Sequence, residues 1–267
     1  MFSLSRPISS RFPALRWDVL VIILALLALT GVAWANMHSR YQSMGTMSLT
    51  SMDSMSMSME QRSFWGDAAL FLPMWSVMIV AVMLPTMMPM VLIFSTIYRN
   101  RRAKGQVYVP TWVFLLGYMI VWALSGAPGY LAKVGLESLV DQFPSFQSAG
   151  AVIGGLVLIG AGLYQLSPLK DKCLSHCRTP LGFIMHDWRE GYGGALRMGV
   201  RHGWYCLGCC WALMIVMFPV GVMNLVWMGA LAVLIFVEKL VPHGRWVSRL
   251  SGLALMVAGV SLAAGIL

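Results

Sequence analysis

The chain has 267 residues, of which 58% are hydrophobic and 11% charged, and its mean hydropathy is +0.74. A soluble globular domain carries about 25% charged residues, so this composition excludes an ordinary soluble protein and points to one embedded in a lipid bilayer. The formal net charge of +9 then reads as the basic bias of cytoplasmic loops rather than a nucleic-acid surface, and five cysteines, an odd number, argue against a disulfide framework.

A helix needs about 20 mostly apolar residues to span a bilayer. The candidate spans are Trp17–Ala35, Ala68–Ile97, Thr111–Ala132, Gly150–Leu166, His202–Phe218, Val222–Val237 and Val247–Leu267. The predicted fold is all-α, a polytopic transmembrane helix bundle of about seven spans, or six if the short Val222–Val237 segment is re-entrant.

Arg6, Arg11 and Arg16 precede the first span, and Ala33-Trp34-Ala35 near its end resembles the cleavage site of a secretory signal. The apolar run is long for a signal, so residues 1–35 read as a cytoplasmic tail and an uncleaved anchor. Residues 36–66 change character. Met37, Met44, Met47, Met52, Met55, Met57 and Met59 are set among serine and threonine, with too little apolar surface to build a core. A thioether is a soft donor suited to Cu(I), and it needs no deprotonation to bind, as a thiol does. With His38, these methionines are candidates for weak, fast capture of the ion. The plain alternative is a low-complexity linker.

The bundle proper occupies residues 67–267. Its first helix reads MWSVMIVAVMLPTMMPM. Met83, Met87 and Met90 share a face, within about 60° of one another, and Met74 and Met78 pair nearer the outer end. Pro85 and Pro89 remove backbone donors and free carbonyls, which neighbours must satisfy inside a membrane. Met83-x-x-x-Met87 is similar to the spacing in the pore helix of the Ctr family of eukaryotic copper importers, a likeness confined to that spacing. Gly150, Gly154, Gly155, Gly160 and Gly162 in the fourth span predict close helix packing.

The next segment, LKDKCLSHCRTP, holds Cys173, His176 and Cys177 within five residues. On a helix Cys173 and Cys177 share a face, and Lys172 and Arg178 beside them favour thiolate. The set suits Cu(I), zinc or a redox pair, although zinc asks for about four ligands and only three are local. The plain alternative is a structural thiol pair. The fifth span reads RHGWYCLGCCWALMIVMFP. At 100° per residue, His202, Cys206, Cys209, Cys210, Met214 and Met217 fall on one stripe, from roughly −60° to +80° about Cys206. Thiol, thioether and imidazole together suit copper, with zinc the second choice; such residues also serve as ordinary apolar filler. Phe218-Pro219-Val220-Gly221 predicts a tight hairpin before the sixth span. Glu238, beside Lys239 at the end of that span, reads as a solvated end residue.

Basic residues cluster before the first span, after the second, between the fourth and fifth, and between the sixth and seventh. Seven spans put all of these on one side, which is then cytoplasmic. The methionine-rich segment and the C-terminus face outward, into the periplasm of a bacterial inner membrane. Antiparallel second and fifth spans bring Met83–Met90 and Cys206–Cys210 to similar depth, so one shared site is feasible.

Three blocks, MWSVMIVAVMLPTMMPM, YQLSPLKDKCLSHCRTP and GALRMGVRHGWYCLGCCWALMIVMFPVGVMN with the following FVEKL, resemble the domain of unknown function 2182 family over roughly Ala68 to Leu267. That resemblance implies a metal-binding integral membrane protein of bacteria, without an established transport activity. The leading expectation is Cu(I) capture and transfer, by import or by delivery to a copper enzyme, with copper as cargo and a copper chaperone or copper enzyme as partner. No nucleotide-binding motif is present, so ATP-driven pumping by this chain is not expected. The alternatives are a membrane thiol-disulfide oxidoreductase using Cys206/Cys209 and Cys173/Cys177, which lack a thioredoxin-like context, or a structural scaffold.

Overall fold

The computed structural model describes residues 17–45, 64–142, 149–217 and 225–266. Among them the regular elements are all helices: α1 (Trp17–Gly45), α2 (Phe64–Ala103), α3 (Thr111–Gln142), α4 (Gly150–Gln165), α5 (Pro168–Arg178), α6 (Pro180–Asp187), α7 (Gly191–Ile215), α8 (Leu225–Leu240) and α9 (Gly244–Ala263). The all-α expectation holds. Helices α1, α2, α3 and α9 are long and apolar enough to cross a membrane, and α4 with α5 makes a fifth if that pair, bent by 62°, is one span. Helices α7 and α8, read from the sequence as the fifth and sixth spans, are not among these. Helix α8 has only 16 residues, and the first half of α7 carries Arg197, Arg201 and His202.

Helix α1 runs on past Ala35 to Gly45, so Met37, His38 and Met44 stand on a helix rather than in a loop. Met47, Met52, Met55, Met57, Met59 and the expected hairpin at residues 218–221 lie outside the described residues. Pro73, Pro85 and Pro89 all sit inside the 40-residue helix α2. Pro85 has no N–H to give the carbonyl four residues back, that of Ala81. The Trp34 indole of α1 donates to that carbonyl at 3.1 Å, so a neighbouring helix satisfies the group that the proline leaves free.

Two glycine contacts set the helix spacing. On α4 and α9, a Cβ added to Gly155 would stand 2.5 Å from the Gly259 carbonyl oxygen, and one on Gly162 2.6 Å from that of Gly252. The predicted packing face is therefore real at Gly155 and Gly162. Gly150 and Gly160 face open space instead. On α3 and α7, Gly117 lies against the Leu196 backbone and Gly199 against the Phe114 carbonyl. This approach presses the inner face of α7 into an aromatic core, where the Phe94 and Phe114 rings stack at 4.7 Å.

Ser167 and Pro168 break the chain between α4 and α5. The Ser167 hydroxyl accepts from the Lys170 N–H at 3.2 Å, and Pro168 at the first helical position needs no partner for a missing N–H. The new direction lays α5 along α7.

Candidate metal centre

Cys206, Cys209 and Cys210 point inward from α7, each 2% exposed or less. His202, Met214 and Met217 are buried with them, so the stripe read from the helical period is the buried face. The fourth thiol comes from another helix. Cys177 on α5 brings its sulfur within 4.8 Å of those of Cys206 and Cys209, and the three are mutually that close. Cys177 Sγ is 3.8 Å from Cys209 Sγ. A metal–thiolate bond of about 2.3 Å puts the sulfurs of a trigonal site roughly 4 Å apart, so these three are spaced to share one ion. Cys210 Sγ stands 4.0 Å from Met83 Sδ, which brings α2 to the same place as α7.

Two groups that the sequence reading left out, and one that it set aside, complete the surroundings. Lys239 Nζ donates to Cys206 Sγ at 3.0 Å and to Thr86 Oγ1 at 3.3 Å, and lies 3.8 Å from Met83 Sδ. The Tyr118 hydroxyl is 3.0 Å from Cys206 Sγ. Thr86 in turn donates to the Met83 carbonyl at 2.9 Å. A buried ammonium among sulfurs and hydroxyls puts a positive charge beside the thiol cluster. In the sequence Lys239 is visible only as half of a charged pair, Glu238-Lys239, closing an apolar run, and a lysine in that place most often carries its charge out to water. Tyr118 and Thr86 carry no signal.

Several expectations are corrected. Cys173, His176 and Cys177 do not form one local cluster. Helix α5 presents Cys177 to Cys209, whereas Cys173 Sγ fills the space left by Gly208, 2.8 Å from where a Cβ would stand. His176 stacks on Tyr205 with ring centroids 4.1 Å apart and hydrogen-bonds the Lys172 carbonyl through Nδ1 at 2.8 Å. Arg178 is turned away from the thiols and donates to the carbonyls of Val241 and Pro242. His202 is boxed by the rings of Phe114, Tyr118 and Phe183, with Nδ1 unpartnered, and is not part of the thiol triad. Met87 and Met90 are buried on α2, but among the described residues Met83 alone of that trio meets a thiol. Met214 lines an apolar cavity of about 450 Å³ together with Trp75, Trp122, Trp204 and Trp211. Glu238 is no solvated end residue: it is 2% exposed and paired with Lys170 at 2.7 Å.

A family model described as a copper chaperone, PpoB2, matches residues 72–262. That span contains Met83, Cys177 and the Cys206–Cys210 block and leaves out the methionine-rich segment. It supports a copper-related family without carrying the domain-of-unknown-function name. No curated protein and no solved structure matches the chain.

Proposed function

The chain belongs to the PpoB2 copper chaperone family, and from that premise we propose that it is a bacterial inner-membrane protein that takes Cu(I) as cargo and hands it on, across the membrane or to a copper enzyme. The observation that carries this reading is the convergence of Cys177, Cys206 and Cys209 from two helices within 4.8 Å. Three thiols and the Met83 thioether are soft donors, the set that Cu(I) prefers. Zinc favours a closed tetrahedral set of thiolates, imidazoles and carboxylates, for which a thioether is a poor fourth member.

In this proposal the chain spans the membrane seven times, with α1 kept as an anchor. The Trp34–Ala81 hydrogen bond and the burial of Leu26 and Ala33 support that docking. The N-terminus is cytoplasmic, and residues 36–66 and the C-terminus are periplasmic. Met44, Met47, Met52, Met55, Met57 and Met59 capture the ion weakly. Met83 receives it, and the thiol triad holds it more firmly. The blocks that resemble the domain of unknown function 2182 family contain these inner donors.

Metal analysis of the purified chain under reducing conditions, beside a Cys177→Ser/Cys206→Ser/Cys209→Ser variant, tests the site. Stoichiometric copper in the wild type and its loss in the variant are expected; equal copper in both would remove the site. Radio-copper uptake into vesicles separates transport from delivery, and reporter fusions at both termini test the orientation.

One observation favours a second reading. The 3.8 Å between the Cys177 and Cys209 sulfurs suits a thiol-disulfide oxidoreductase built on that pair. Metal-independent oxidation of a dithiol substrate by the purified chain, with Cys177 and Cys209 first joined as a disulfide that is reduced to the two thiols in the exchange, would support it.

A further inference from the structure

Copper binding leaves two buried charges unused. Lys170 on α5 is fully buried, and its Nζ lies 2.7 Å from Glu238 Oε2 on α8. Glu238 Oε1 accepts from Gln165 Nε2 at 3.0 Å and from Ser251 Oγ at 3.2 Å. The Ser248 hydroxyl donates to the Gln165 backbone carbonyl at 3.1 Å. The network thus joins α4, α5, α8 and α9. At its other end α5 meets the turn that follows α8: Arg178 Nη2 donates to the Val241 carbonyl at 2.7 Å and to the Pro242 carbonyl. Helix α5 is thus fastened at one end to the last turn of α8 and at the other to the turn that follows it.

Cys177 sits between those fastenings. It follows Lys170 by seven residues, about 20° short of two full turns, so the two side chains share a face of α5. The residue after Glu238 is Lys239, which reaches Cys206 Sγ and Met83 Sδ. The end of α8 therefore touches all three helices that bring sulfur to the centre. Cys206 and Cys209 are placed by one helix and need no outside help. Cys177 arrives from a different helix, and something must hold it in register.

We propose that the Lys170–Glu238 ion pair, backed by the Arg178 contact, is the positioning device that brings Cys177 to Cys206 and Cys209. Lys170 and Glu238 are positioning residues, not ligands. The inference rests on the copper reading for its consequence, while its geometric part stands on the cross-helix contact alone. A buried ion pair suits this task because a carboxylate and an ammonium out of water accept only one arrangement well.

Two measurements on the full chain in lipid nanodiscs test it. The first is cross-linking in a Cys173→Ser/Cys206→Ser/Cys210→Ser background, which keeps Cys177 and Cys209. Diamide takes two electrons and two protons from the two thiols, forming the disulfide and the reduced hydrazine. Fast cross-linking is expected, slowed by Glu238→Gln and restored by the exchanged pair Lys170→Glu/Glu238→Lys. An unchanged rate in Glu238→Gln would overturn the proposal. The second is Cu(I) affinity by competition with a chromogenic chelator. Glu238→Gln should weaken binding by about 10–100-fold, the range for groups that orient a metal ligand, to the level of Cys177→Ser. Adding Cys177→Ser should then cost nothing further. Affinity equal to wild type overturns the proposal. So does a fall well below Cys177→Ser, which would mean general structural damage. If the wild type binds no Cu(I), the copper reading fails, and the cross-linking rates still decide the positioning role.

Discussion

Replacing Gly155 by alanine places a methyl group where α4 and α9 touch. Its Cβ would meet the Gly259 carbonyl oxygen at 2.5 Å and the Ala263 Cβ at 2.8 Å. Ordinary van der Waals contact begins at 3.4 Å, so the first approach is 0.9 Å too close. The obstacle is helix backbone, which cannot rotate aside as a side chain would, so α9 must retreat. Gly162 and Gly252 repeat the contact two turns away, and separation at one pair strains the other. Overpacking of this kind costs about 1–3 kcal/mol. Gly160→Ala is the matched control, since its Cβ meets nothing within 4 Å. Both substitutions gain the same helix preference of alanine over glycine, about 0.5–1 kcal/mol. The difference between the two variants therefore reads the steric cost alone. At about 2–4 °C per kcal/mol, Gly155→Ala should melt some 2–12 °C below Gly160→Ala in detergent micelles. Equal melting temperatures, or a higher one for Gly155→Ala, would refute the close α4–α9 contact.

Cys209→Ser should weaken Cu(I) binding at least as much as Cys177→Ser does, while Cys173→Ser leaves affinity and stoichiometry unchanged, because Cys173 packs against Gly208 and not in the thiol triad; equilibrium dialysis reads both. Trp34→Phe leaves the Ala81 carbonyl without its indole donor and should cost about 1–3 kcal/mol, measured by thermal unfolding. Tyr118→Phe removes the hydroxyl 3.0 Å from Cys206 Sγ, with an expected loss of about 0.5–1.5 kcal/mol and unchanged copper content by elemental analysis. Arg101→Ala breaks the bridge to Glu190, whose side chain is 73% exposed, and should alter stability by no more than about 1 kcal/mol in the same melts.

The blocks of apolar sequence were enough to predict that the described residues are helical, because apolar runs of about 20 residues match the length of a spanning helix and exceed that of a strand. The inward stripe of α7 was equally legible, since His202, Cys206, Cys209, Cys210 and Met214 follow from the helical period alone. So was the glycine face at Gly155 and Gly162. Local pattern failed where a residue's partner lies far along the chain. Cys173 and Cys177 look equivalent in sequence, four residues apart. The 62° bend at Ser167-Pro168 turns one of them to Cys209 and the other to Gly208. Glu238 and Lys239 look like an end cap on an apolar run, yet one holds α5 and the other touches the sulfurs of α7 and α2. The amino-acid sequence by itself determined that the described elements are helical and which face of α7 is buried, since those depend on neighbours within a few turns. Only the tertiary structure decided which thiols meet and which charges are buried together. Those pairings join residues 32 to 156 positions apart, and no local period encodes them.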